Sequence, residues 1–111
     1  MSRFASMVDA FNDGRVDELV ADTTADYRYS DPFLGAVDGA AAHEALMRQV
    51  LERFPDRRME LLECWVAEGV EVARYRWTGT PADGGAPVEV LFVAVLEFED
   101  GHLRRWANHR S

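Results

Sequence analysis

Phe4, Met7, Val8 and Phe11 recur at i, i+3, i+4 and i+7, the spacing of one apolar stripe along a helix. Asn12-Asp13-Gly14 stops that helix, because glycine tolerates the left-handed conformation a helix end favours. Val16, Leu19 and Val20 form the apolar side of a short second helix over Val16–Ala21. Tyr27 and Tyr29 alternate with polar neighbours, which predicts a strand over Ala25–Ser30 that ends at Asp31-Pro32. A third helix opens at Asp38-Gly39 with Asp38 as its cap. Its apolar face carries His43, Leu46, Met47, Val50 and Phe54, and Pro55 ends it. Beyond this point the period falls to two. Four strands are predicted, over Arg58–Ala67, Val70–Thr80, Val88–Phe98 and His102–His109. Glu68-Gly69 and Asp100-Gly101 are tight turns that pair consecutive strands antiparallel, and Pro81–Pro87 is a longer loop. The order predicts a single α+β domain over residues 1–111, with helices packed in a curved antiparallel sheet. The open end of such a sheet is a common place for a small-molecule pocket.

Composition narrows the chemistry. Of 111 residues, 20 are acidic and 12 basic, a formal charge of −8, and every basic residue is arginine. Without lysine there is no Schiff-base amine and no P-loop lysine. So acidic a chain is a poor match for nucleic acid, whose affinity comes largely from cations set against phosphates. Cys64 is the one cysteine, so no intramolecular disulfide is expected, and its thiol reads as inert. No apolar run approaches the roughly 18 residues of a membrane span, and the opening Met-Ser-Arg-Phe-Ala-Ser shows no leader pattern. A cytoplasmic protein without membrane or nucleic-acid partners is the expectation. His43, His102 and His109 lack metal-ligand spacing, so neither metal nor cofactor is expected.

Several short segments together resemble the NTF2-like superfamily, and within it the SnoaL-like group. They are Phe11-Asn12-Asp13-Gly14-Arg15, Tyr29-Ser30-Asp31-Pro32, Gly39, and Phe54-Pro55-Asp56. Val72-Ala73-Arg74-Tyr75-Arg76-Trp77-Thr78-Gly79-Thr80 and Phe98-Glu99-Asp100-Gly101-His102-Leu103 complete the match over nearly the whole chain. The resemblance implies a cone-shaped fold shared by ketosteroid isomerases, polyketide cyclases and limonene-epoxide hydrolases. By it, Asp31 corresponds to the proton-shuttling base of the isomerases. A carboxylate at a strand end facing an apolar cavity suits general acid/base work, although Asp before Pro also builds Asx turns. The isomerase oxyanion hole is missing, since its two donor positions hold Met7 and Ala94.

Val72, Arg74, Arg76 and Thr78 share one strand face, opposite Ala73, Tyr75 and Trp77. The resemblance makes the arginine face concave, so Arg74 or Arg76 would stabilise an enolate or orient an acidic group. The alternative is a solvated face whose arginines pair with Glu63, Glu71 or Glu89. The epoxide-hydrolase pattern of Arg-x-Asp with a final-strand Asp is incomplete, as the chain has Arg74-x-Arg76 and Asn108. Tyr29, Met47, Phe92, Trp106 and Asn108 are expected to line the cavity with Leu46. His43 is either a core histidine or an acid/base near Asp31. On the other face Tyr75, Trp77, Val93 and Val95 would form an apolar patch suited to a homodimer. These residues point to an isomerase or cyclase acting on a small hydrophobic carbonyl compound. A non-catalytic binding or interaction protein and an epoxide hydrolase or cyclase are the alternatives.

Overall fold

Helix α1 (Arg3–Asn12) forms on the predicted stripe and buries Phe4, Met7, Val8 and Phe11. The computed structural model describes residues 2–111. A four-residue helix α2 (Val16–Leu19) follows, then strand β1 (Thr23–Asp31), strand β2 (Gly35–Asp38) and helix α3 (Ala40–Arg53). Strands β3 (Arg58–Ala67), β4 (Val70–Gly79), β5 (Val88–Glu99) and β6 (His102–Arg110) complete the chain. The six strands make one sheet in the order β2-β1-β6-β5-β4-β3. All neighbours are antiparallel except β1 and β6, which run parallel. The predicted α+β architecture of helices and a curved sheet is the one observed.

Two local expectations are corrected. The segment between Pro32 and Asp38, for which the sequence predicts no element, turns and returns as β2, pairing Tyr29 with Val37. Asp38 is therefore a strand residue beside Arg28, and Gly39 at φ +92° takes the cap position without a side-chain bond. Glycine alone enters that conformation at little cost.

The larger correction concerns which face of β4 looks inward. Residues directly opposite each other in an antiparallel pair share a face. Tyr75 lies opposite Phe92 and Trp77 opposite Val90, whereas Arg74 lies opposite Val93 and Arg76 opposite Leu91. Ala73, Tyr75 and Phe92 are buried against the helices. Tyr75 and Trp77 thus belong to the interior and not to an outer apolar patch, while Val93 and Val95 do face outward with the arginines. Arg74 pairs with Glu63 at 2.9 Å, and Arg76 with Glu60 at 2.6 Å and Glu89 at 2.8 Å. The solvated alternative describes Arg74 and Arg76, with Glu71 excepted.

Glu71 points inward instead and is 4% exposed. Its carboxylate accepts from Ser2 Oγ at 2.8 Å, the Arg3 amide at 3.0 Å and the Phe4 amide at 3.1 Å. The two amides are orphan donors of the first turn of α1, where the helix dipole also favours a negative charge. Ser2 is the N-cap, its Oγ accepting from the Ala5 amide at 3.1 Å. At the other end of α1 the Asn12 side chain donates to Met59 O at 2.9 Å and accepts from the Met59 amide at 2.7 Å. The helix is therefore fastened to β4 and β3. No helix among the described residues is long and apolar enough to cross a membrane.

Replacing Glu71 by Ala strands three donors at once, the Phe4 amide buried and the Ser2 hydroxyl and Arg3 amide partly so. We expect a loss of about 2–3 kcal/mol of unfolding free energy, from the lost cap and the unmet hydrogen bonds. Glu71→Gln, which keeps one oxygen acceptor, should lose less. Chemical denaturation reads both variants. A loss for Glu71→Ala below about 0.5 kcal/mol, the range of an ordinary surface change, would refute this role.

Candidate functional site

The inner face of the sheet and one side of α3 enclose a cavity of about 370 Å³, within the range of small-molecule sites. Its wall is mostly apolar and aromatic. Phe11 of α1, Leu46, Met47 and Val50 of α3, and Met59, Tyr75, Trp77, Val90, Phe92 and Trp106 of the sheet contribute. Phe33 and Leu34, both exposed, lie at the rim in the turn between β1 and β2. Trp77 crosses Phe54 edge-on at 4.9 Å and lies over Gly79, where a Cβ would come within 2.8 Å of the indole. The bare glycine therefore leaves room for this ring.

Polar atoms gather at one end. Asp31 closes β1, and its Oδ1 accepts from the Phe33 amide at 2.8 Å and the Leu34 amide at 3.0 Å. Its Oδ2 accepts from the Tyr29 hydroxyl at 3.2 Å and Asn108 Nδ2 at 3.1 Å. Asp31 is thus an Asx-turn carboxylate and a cavity residue together. Trp106 and Asn108, two apart on β6, meet through an indole N–H donated to Asn108 Oδ1 at 2.8 Å. An indole can only donate, so this bond sets the amide orientation and turns Nδ2 toward Asp31 and the Tyr29 hydroxyl, 3.0 Å away.

Burial holds both nearby phenols in their neutral form. It pushes the Tyr29 hydroxyl well above the ordinary tyrosine range, and the charges of Tyr75 and Asp31 would add to this. Tyr75 is raised in the same way, chiefly by burial and then by Asp31, against an opposing hydrogen bond with Asn108. The cavity therefore presents one carboxylate beside two phenols that remain protonated at any working pH.

Of the residues singled out from sequence, Asp31, Tyr29, Met47, Phe92, Trp106 and Asn108 come together around this space. Arg74, Arg76 and His43 do not. The arginines lie on the opposite sheet face, so the epoxide-hydrolase arrangement on β4 is not assembled in the cavity. His43 is fully buried behind the wall, stacked on Tyr29 at 3.9 Å and edge-on to Trp106 at 5.2 Å. Its Nδ1 is 2.9 Å from the Tyr27 hydroxyl, and Nε2 has no partner. Burial lowers its pKa to about 3, so it is a neutral core residue that props Tyr29. Tyr75, Trp77, Gln49 and Arg53 are cavity residues the sequence reading did not place there. Leu46, Gln49, Val50 and Arg53 follow helical i, i+3, i+4, i+7 spacing, a signal that the polar identity of Gln49 and Arg53 obscures.

His43 makes stability depend on pH. The unfolded chain takes up this proton near pH 6.5, whereas the folded chain resists it until about pH 3. The associated stability is complete above pH 6.5 and is lost as pH falls toward 3. Between pH 7 and pH 4.5 this one group should account for about 2–3 kcal/mol of lost stability. Denaturant unfolding of wild type and His43→Phe at both pH values isolates it from the carboxylates. Equal pH dependence in the two proteins would refute a neutral buried His43.

The model of the SnoaL-like domain matches residues 4–106. Among curated proteins no sequence matches. A cystatin-fold protein from Novosphingobium aromaticivorans superposes with a TM-score of 0.84 at 24% identity, over 96% of this chain and 93% of that one. A Mycobacterium tuberculosis protein described as a limonene-epoxide-hydrolase-like epoxide hydrolase superposes with a TM-score of 0.81 at 14% identity, over 97% and 79% of the chains. A Jannaschia protein assigned as a SnoaL-like polyketide cyclase gives 0.76 at 21% identity, over 95% and 83%. At such identities these structures establish the fold, and the family match covers nearly the whole length. The chain belongs to the SnoaL-like family, with an NTF2-like fold.

Proposed function

We propose that this chain binds a small hydrophobic carbonyl compound and moves a proton on it, as an isomerase or cyclase with Asp31 as the base. One observation carries the reading: an apolar cavity of about 370 Å³ whose polar end is the group Asp31, Tyr29 and Asn108. In a water-poor cavity a carboxylate placed beside an enolisable carbon can accept its proton, a contribution of roughly 10²–10⁴ in rate. Enolate charge then needs a donor. Met7 and Ala94 cannot supply one, but the neutral Tyr75 phenol lines the same space. It takes over the role first expected of Arg74 or Arg76. Trp106, Phe92 and Met47 would pack the substrate body.

A second reading has its own support. Four donors already converge on Asp31, about as many as a carboxylate has lone-pair directions. Such a group serves well as a fixed acceptor in a non-catalytic binding protein. Hydrogen–deuterium exchange at the α-carbon of a hydrophobic cyclic ketone such as tetralone, followed by NMR in heavy water, separates the two. Catalysis predicts accelerated exchange that falls by at least about 100-fold in Asp31→Asn, with the fold retained by circular dichroism. Binding of the ketone without accelerated exchange selects the second reading, and undiminished exchange in Asp31→Asn removes Asp31 from the mechanism.

The outer sheet face supports a homodimer. Trp65, Val72 and Val95 stand in one row across β3, β4 and β5, and Val93 and Leu91 follow on β5 opposite the ion-paired Arg74 and Arg76. Trp65 is 53% exposed. A contiguous exposed apolar patch rimmed by polar residues is a mark of an interaction site. Sedimentation should therefore give twice the 12.5 kDa chain mass. A clean monomer at micromolar concentration would exclude the dimer.

A further inference from the structure

We infer that the ligand of this cavity is a hydrophobic acid, with its anionic group held at the mouth by Arg53; this rests on the reading of the cavity as a small-molecule site. Two independent features carry the inference. The first is that Arg53 is one of the few arginines without a carboxylate partner. Among the described residues, Arg3, Arg15, Arg28, Arg48, Arg74, Arg76, Arg104 and Arg105 each have a carboxylate within 4 Å. Arg53, Arg57, Arg58 and Arg110 have none, although acidic residues outnumber basic ones by 20 to 12 in the chain. Of these four only Arg53 lines the cavity.

The second feature is its position. Arg53 ends α3 and lines the cavity, and its guanidinium lies 5.9 Å from the centroid of Phe54, a ring of the same wall. Arg110, also without a carboxylate partner, holds its guanidinium 5.3 Å above Phe33 at the rim. Arg57 lies over Phe11 in the same way but donates to the Pro55 and Phe11 carbonyls. This leaves Arg53 and Arg110 as the two free cations on rings that bound the cavity, and the one wall carboxylate, Asp31, is bound up in its four hydrogen bonds. A ligand that filled the apolar space while leaving an acid at the rim would match this polarity. Asp31 itself belongs to the rim turn through the Phe33 and Leu34 amides, so an anion placed beside it is opposed, whereas one beside Arg53 is paired. Guanidinium suits a planar carboxylate or a sulfonate through paired N–H donors.

The test uses two dyes with the same aromatic body, one anionic and one neutral: anilinonaphthalene sulfonate and phenyl naphthylamine. Fluorescence titration of the full chain should show both binding, and Val90→Trp, which fills the cavity, should abolish both. In Arg53→Gln the sulfonate should lose roughly fivefold in affinity, the upper range for an exposed charge pair, while the neutral dye is unchanged. Arg53→Lys should restore much of the loss, and added salt should weaken only the sulfonate. If Arg53→Gln leaves the sulfonate unchanged, or weakens both dyes equally, the inference fails while the cavity reading stands. If neither dye binds wild type, or Val90→Trp leaves both bound, the cavity reading fails with it.

Discussion

The fastening of α1 to the sheet governs everything built above it. Burial of Phe4, Met7, Val8 and Phe11 draws the helix into the concave face, but apolar contact has no preferred direction. Direction comes from Glu71 at one end and Asn12 at the other, each bonded to backbone groups across the interface. Held in this way, Phe4 meets Tyr75 at 5.3 Å and Trp106 edge-on at 5.5 Å. Those two rings are cavity wall. The helix thus sets the floor of a space it barely enters, touching it only through Phe11.

Above that floor, order at the polar end runs in one sense. The Trp106 indole donates to Asn108, Asn108 donates to Asp31 and Tyr29, and Tyr29 donates to Asp31. The chain of donors ends on the carboxylate, and each member fixes the rotamer of the next. His43 adds support without chemistry, since a neutral ring stacked on Tyr29 keeps the phenol from tilting. The unpartnered Nε2 of His43 is the cost of that placement. Both catalytic and non-catalytic readings need the same rigidity, so rigidity by itself favours neither.

Much of this was legible before the fold was known. Helical stripes located α1 and α3, and the two-residue period of β6 put Trp106 and Asn108 on one face without ambiguity. What period two cannot tell is how the parity of one strand relates to that of the next. On β4 either alternating set could face inward: the set with Tyr75 and Trp77 is apolar, yet the set with Arg74 and Arg76 looked suited to a polar pocket. Pairing of Tyr75 with Phe92 decides the matter, and nothing within β4 encodes that register. Strand β2 escaped notice because Gly35-Ala36-Val37-Asp38 is too short to show alternation. Arg53 escaped because a charged residue on an apolar stripe looks like the end of a helix, which it also is.

The Glu71 cap has a consequence for how the chain comes into being. Ser2 caps α1 locally by accepting from the Ala5 amide, but Ser2 and Glu71 are 69 residues apart, so α1 can be synthesised long before the carboxylate that fastens it exists. A chain emerging from its N-terminus carries this amphipathic helix unpaired until the β3–β4 hairpin has appeared. Closing so long a loop is costly in entropy and must precede the contacts that reward it. During that interval the stripe of Phe4, Met7, Val8 and Phe11 is open to any apolar surface nearby, and exposed segments of this kind are where misassembly starts. The residue that orders the finished protein is thus among those that arrive late.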